Sequence, residues 1–216
     1  LDYSTGYLFI SSDDRIINKK ESLVSGNIYV LDLNDLYSGP QVATLSIPFT
    51  NFHPAGIHLY KDPNTGEKTL FVTNLRKGEP HSVETFQVLE KNPERNHPIL
   101  IHKETFSHPD LVALNDVVAV GPRSFYVTVD CKYGRGFMQV IDVLLDLKAA
   151  QVFYFDGKEW RKEIEGLSFA NGILASPDNT VIYVNEMLGG RFNTYERNLT
   201  TGALTLKQSY QLGIGM

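Results

Sequence analysis

The chain has 216 residues, of which 42% are hydrophobic and 21% charged, with a formal net charge of −5. That composition supports a sizeable core, and no apolar run approaches the roughly 20 residues that a bilayer-crossing helix requires. Lys and Arg do not cluster, which excludes an electrostatic footprint for nucleic acid or an anionic membrane and fits a small neutral or cationic partner.

Helical periodicity is almost absent, and short strand-like runs punctuated by turn residues predict an all-β chain. GYLFISSD and GNIYVLDL predict two strands of a first module. AGIHLYKDPNTGEKTLFVTN, from Ala55, then reads as an apolar strand, a Pro-containing turn and a second strand, followed by VETFQVL and ILIHKETF. NDVVAVGPRSFYVTVD, from Asn115, repeats the hairpin and is followed by GFMQVIDV and QVFYFDG as its third and fourth strands. NGILASPDNTVIYVNE, from Asn171, repeats it again, with RFNTYER and ALTLKQSYQL after it. The three hairpins recur at a period of about 60 residues and align position by position, which a β-sandwich, the alternative architecture, does not require. Stacked four-stranded modules predict a β-propeller with roughly four blades in this chain.

In a blade the first strand lies nearest the axis, so its leading residues converge at a channel mouth. The aligned leading residues are Ala55, Asn115 and Asn171, followed by Gly56, Asp116 and Gly172. Neighbours in a regular strand point opposite ways, so Asn115 and Asp116 would reach different ions. Amide and carboxylate oxygens are hard ligands, and the metal they suggest is calcium, not zinc. The alternative is that these residues only cap turns by bonding their own backbone.

LFISSDDR (8 to 15), FHPAGI (52 to 57), LNDVVAVGP (114 to 122), FYVTVD (125 to 130) and FANGI (169 to 173) together resemble the paraoxonases, calcium-dependent lactonases and arylesterases with a six-bladed propeller. SVETF, SPDNTVIYVNEML and YERNLTTGALTL follow in family-like order, and the resemblance covers essentially the whole chain. It implies a hydrolase of lactones or aryl esters holding two calcium ions. Asn115 and Asn171 would bind the catalytic ion, and Asp116 with the backbone carbonyl of Ile57 the structural one. The other ligands of the family lie outside segments like those present, so residues 1–216 are expected to form one propeller domain incomplete at both ends. The resemblance also implies a secreted or lumenal protein, with peripheral membrane or lipoprotein association. The sequon at Asn198, Leu199 and Thr200 permits glycosylation in that setting.

The chain departs from the family where proton transfer is expected. Ala55 and Leu75 stand where the family carries histidines, and loss of a general base typically costs about 10²- to 10⁴-fold in rate. His53 is the candidate substitute base. Asp130 matches a family acid, with Val129 and Cys131 in place of its usual Asn and His neighbours. Asp130 is therefore read as a catalytic acid or, alternatively, as a solvated turn carboxylate, and Cys131 as a small buried hydrophobe. His58 is read as an ordinary strand residue, and His81, His97, His102 and His108 as surface or loop residues. Trp160, within DGKEWRKE, is expected to anchor a hairpin. The competing function is a non-catalytic propeller in which calcium only stabilises a surface that binds a ligand or protein partner.

Overall fold

The computed structural model describes residues 2, 5–13, 25–89, 97–134 and 136–213. The described residues form four sheets, joined mostly by turns. Strands β1 (Tyr7–Ser12), β2 (Asn27–Asp32) and β3 (Gln41–Val42) make a three-stranded antiparallel sheet. In the second sheet β5 (Pro54–Lys61), β6 (Lys68–Asn74), β7 (Ser82–Leu89) and β8 (Ile99–Ser107) follow in order, and the short β4 (Thr44–Leu45) runs parallel to β8 at the edge. The third sheet holds β9 (Leu114–Ala119), β10 (Phe125–Val129), β11 (Ala150–Phe155) and β12 (Trp160–Leu167). The fourth holds β13 (Ala170–Ala175), β14 (Val181–Glu186), β15 (Arg191–Arg197) and β16 (Leu204–Gln211). A nine-residue helix, α1 (Phe137–Leu145), lies between β10 and β11.

The chain divides into two compact units, Leu1–Phe106 and Ser107–Met216. In the first, Phe9, Ile28 and Val30 of one sheet pack with Leu70, Val72 and Phe86 of the next. In the second, Val118, Tyr126 and Val152 pack with Ile173, Ile182 and Val184. The turns are held by their own side chains. In DPNTG, Asp62 Oδ1 accepts the N–H of Asn64 at 2.8 Å, and in SPDN, Asp178 Oδ1 accepts from Ser176 Oγ at 2.6 Å.

The third sheet departs from expectation. GFMQVIDV is helical, QVFYFDG supplies the third strand, and the fourth begins at Trp160. A short β-branched run fits either period. Helical spacing decides here by turning Gln139 and Asp142 inward together, while Phe137, Val140, Leu144 and Leu145 stay exposed. Trp160 packs edge-on to Phe125, with centroids 5.4 Å apart, and at 5.1 Å from Phe155.

Tyr126 ties the outer turn of the fourth sheet to the third. Its hydroxyl donates to Gly202 O at 2.5 Å and accepts from Arg197 Nε at 2.9 Å, and its ring stacks on Tyr154 at 4.4 Å. Gly202 has φ +75°, and a Cβ there would collide with the Tyr154 ring. Gly66 has the same φ with open space around it. Gly202→Ala is therefore expected to cost about 2–4 kcal/mol, against about 1–2 kcal/mol for Gly66→Ala, where only backbone strain is added. Paired urea unfolding curves check this, and equal losses would contradict it.

Candidate metal and active site

The leading strand of three sheets opens on the same irregularity. In β5, Pro54 pairs with Asn74 and Ile57 with Val72, leaving Ala55 and Gly56 opposite Thr73. In β9, Leu114 pairs with Val129 and Val117 with Val127, leaving Asn115 and Asp116 opposite Thr128. In β13, Ala170 pairs with Glu186 and Ile173 with Val184, leaving Asn171 and Gly172 opposite Asn185. Each is a β-bulge, which suspends the strict side-to-side alternation expected for Asn115 and Asp116.

In the second unit, two bulges are brought together. Asp116 Oδ1 accepts the N–H of Val117 at 2.8 Å, and Oδ2 accepts the N–H of Ile173, in the neighbouring sheet, at 3.1 Å. Thr128 Oγ1 accepts the Asp116 N–H at 3.0 Å and donates to Asn171 O at 2.6 Å. Burial holds the Asp116 carboxyl above its ordinary value, and the two backbone N–H donors pull it back only in part. A Cβ at Gly172 would lie 3.2 Å from Asn185 Oδ1 and 3.8 Å from Asp116 Oδ2, so the missing side chain leaves a cradle lined by oxygens. Asn115 is half-buried on the same bulge as Asp116.

Asp130 is 2% exposed. Its N–H donates to Ala113 O at 2.9 Å, and its Oδ1 accepts Gln139 Nε2 of α1 at 3.3 Å. It is a sealed carboxylate, not the solvated turn residue of the alternative reading. Beside it Cys131 is fully buried, and burial pushes its thiol up. The Asp142 carboxyl, also buried, lies against that thiol, with its Oδ1 unpartnered among the described residues.

The remaining candidates belong to the first unit. His53 is 3% exposed, donates its N–H to Asn74 Oδ1 at 2.8 Å, and holds its ring Nδ1 2.9 Å from Asp13 Oδ1. Ile57 is half-buried and pairs with Val72. Leu75 is buried. His58, a strand residue opposite Phe71, is lowered to about 4, mainly by burial. His81 and His102 correct the surface reading. His81 is buried, and His102 Nε2 lies 3.0 Å from Oε2 of Glu84, a carboxylate that also accepts from Ser82, Asn74 and Thr105. Glu84 escaped sequence reasoning because SVETF reads as ordinary strand; its only signal is an acid at a position that alternation sends inward.

Among the described residues no three His, Cys, Asp or Glu side chains gather to hold a metal. The side-chain oxygens at the Gly172 cradle are those of the Asp116 carboxylate and the Asn185 amide, a partial set that fits a hard cation such as calcium and not a thiolate- or imidazole-loving one.

Antiparallel sheets with bulged leading strands, repeated along the chain, are blades of a β-propeller. Solved structures agree with that class. The chain resembles a periplasmic gluconolactonase of Pseudomonas aeruginosa with TM-score 0.58 at 16% identity, over 98% of this chain and 56% of that one. It resembles a 6-phosphogluconolactonase-like protein of Bacteroides uniformis with TM-score 0.56 at 14% identity, over 89% and 50%. The chain belongs to the arylesterase family, whose model, described as Arylesterase, matches residues 17–216. Among its relatives, human serum paraoxonase/arylesterase 1 is 33% identical over 187 residues, 84% of this chain and 50% of the relative. Bovine serum paraoxonase/arylesterase 2 is 31% identical over 186 residues, with the same coverage. The chain thus spans about half the length of the curated relatives it matches.

A carboxyl raised in the folded state keeps its proton where the unfolded chain has lost it. In the ion-free protein Asp116 therefore contributes stability at low pH that is lost as pH rises from its ordinary 3.8 through its raised value. Asp116→Ala is expected to remove that fall from a profile of thermal midpoint against pH. A profile unchanged in shape would contradict the assignment.

Proposed function

We propose that the protein this chain represents is a calcium-dependent hydrolase of lactones or aryl esters. The observation that carries the reading is the joining of the Asp116 carboxylate to the Asn171–Gly172 bulge around an oxygen-lined cradle, in a chain of the arylesterase family. The relatives are named paraoxonase/arylesterases, which supports the same substrate class. Asn115 and Asn171 offer side-chain oxygens to the catalytic ion, and Asp116 serves the second. Bound calcium supplies the positive charge that polarises the substrate carbonyl. The bulges would present the two asparagines to that charge, and the hydrogen bonds of Asp116 to the Val117 and Ile173 N–H groups hold its carboxylate in place.

Proton transfer is poorly served: Asp130, the candidate acid, is as sealed as His53 and already bonded to Gln139. Ala55 and Leu75 cannot titrate, and the His53 ring is closed off against Asp13. Turnover is accordingly weak, by the roughly 10²- to 10⁴-fold that general-base catalysis contributes. In the full-length protein, hydrolysis of a phenyl ester and a lactone panel is expected to vanish on chelation and in the Asn115→Ala, Asn171→Ala double variant. Ala55→His is expected to raise kcat by about tenfold or more.

The same loss of titratable groups at Ala55 and Leu75 favours a second reading, a non-catalytic propeller that calcium stabilises. A calcium-dependent rise in melting temperature with no turnover of any ester or lactone would select it over the first.

We also infer a secreted protein that associates peripherally with lipid. The outward face of α1 supports this: Phe137 is 77% exposed, Leu144 73% and Leu145 67%. Such a face favours an apolar interface. Phe137→Ser with Leu144→Ser is expected to reduce sedimentation with phosphatidylcholine vesicles at least about threefold, and unchanged partition would remove the inference. Asn198 is exposed in the turn before β16, where its Oδ1 accepts the N–H of Thr200 at 2.9 Å, and glycosylation there fits the same compartment.

A further inference from the structure

Thr128 is fully buried in β10 between two valines, Val127 and Val129. Valine has nearly the shape of threonine, and a buried hydroxyl destabilises unless it is bonded. Thr128 is bonded twice, and both bonds go to the backbone of proposed ion-binding residues: it accepts from Asp116 N–H at 3.0 Å and donates to Asn171 O at 2.6 Å. One hydroxyl thus satisfies the N–H that a bulge leaves without a ladder partner and clamps the neighbouring bulge through its carbonyl.

The corresponding strand position elsewhere in the repeat shows what this device is for. In β1 the residue is Ser11, whose Oγ donates to Ala55 O, at the bulge of the next sheet, at 2.5 Å. In β6 it is Thr73, whose Oγ1 accepts the Gly56 N–H at 2.8 Å. In β14 it is Asn185, an exposed amide whose Oδ1 lies beside the Gly172 position. Parts of the lock recur in the repeat, and in the second unit one hydroxyl makes both bonds, on residues that carry the candidate ligands.

We propose that Thr128 is a positioning residue of this site: by bonding Asp116 N–H and Asn171 O together, it sets the placement of the two ligand-bearing bulges relative to each other. Its effect on ion affinity rests on the calcium reading above, whereas the clamp itself does not.

The test uses Thr128→Val and Thr128→Ser in the full-length protein, reading amide hydrogen exchange without calcium and calcium affinity by titration calorimetry. Thr128→Val is expected to speed exchange at Asp116 by about tenfold or more relative to Val118. It should also weaken calcium binding by about 10- to 100-fold, as loss of an outer-shell partner does. Thr128→Ser, which keeps the hydroxyl, should return both to within about threefold. If Thr128→Val does not fold, Thr128→Ala is read by the same criteria. Faster exchange spread evenly over β9, β10 and β13 with unchanged affinity overturns the proposal, as does no change in either readout. Selective opening of Asp116, reversed by serine, in a protein that binds no calcium upholds the clamp and removes the calcium reading instead.

Discussion

The site depends on a backbone N–H that has lost its ladder partner. A bulge puts two residues opposite one, and the surplus N–H, buried beside an apolar strand, must find another acceptor. At Asp116 that acceptor is a threonine hydroxyl. The hydroxyl has a proton of its own to place, and it places it on the carbonyl of Asn171 in the adjoining sheet. Satisfying the bulge and joining the sheets are therefore the same event. Ser11 extends the logic to the first unit, where the carbonyl that receives the proton is that of Ala55. In β5 and β9 a hydroxyl holds the bulge N–H, and the residue on the bulge decides whether it carries chemistry.

Buried charge is handled differently inside the sheets and at the site. Glu84 is surrounded by Ser82, Asn74, Thr105 and His102, and Glu186 accepts from the Ser168 N–H at 2.6 Å and from Asn193 Nδ2 at 2.7 Å. Those carboxylates have several donors each and serve as cross-links between strands. Among the described residues the Asp116 carboxylate receives two donors, both backbone, and burial outweighs them. A carboxylate short of donors in a desolvated place gains more from a nearby cation than a saturated one does. That contrast, more than the mere presence of an acid, sets Asp116 apart from Glu84 and Glu186 and supports its proposed role as a ligand.

What the sequence disclosed follows from where its signals are local. The hairpins at Ala55, Asn115 and Asn171 were legible because apolar runs flank DPNTG, GP and SPDN, and because the three copies align. The leading residues were legible for the same reason. Their geometry was not, since a bulge changes the pairing register without changing the composition, and alternation alone sent Asn115 and Asp116 to opposite faces. The segment from Phe137 to Leu145 misled because its valines and isoleucine suit a strand; the helix is fixed by Gln139 reaching Asp130 and by burial of Asp142, contacts with no local signature. Trp160 opens a strand for an equally non-local reason, the aromatic cluster with Phe125 and Phe155.

Positions that hold geometry and positions that move protons have parted company in this chain. The bulge opposite Thr73 is built like the one opposite Thr128, with a hydroxyl accepting the bulge N–H at 2.8 Å in one and 3.0 Å in the other. Yet the first displays Ala55, which can neither coordinate nor titrate, and the second displays Asn115 and Asp116. The nearby imidazole of His53 does not compensate, because at 3% exposure its ring nitrogen is already engaged with Asp13. A base introduced at position 55 would sit on a bulge whose N–H is held by a hydroxyl as in the second unit. Electrostatic stabilisation of a developing oxyanion and proton transfer are separable contributions to ester hydrolysis. In the proposed hydrolase, Asn115, Asp116 and Asn171 would serve the first contribution, while Ala55 and Leu75 offer nothing to the second.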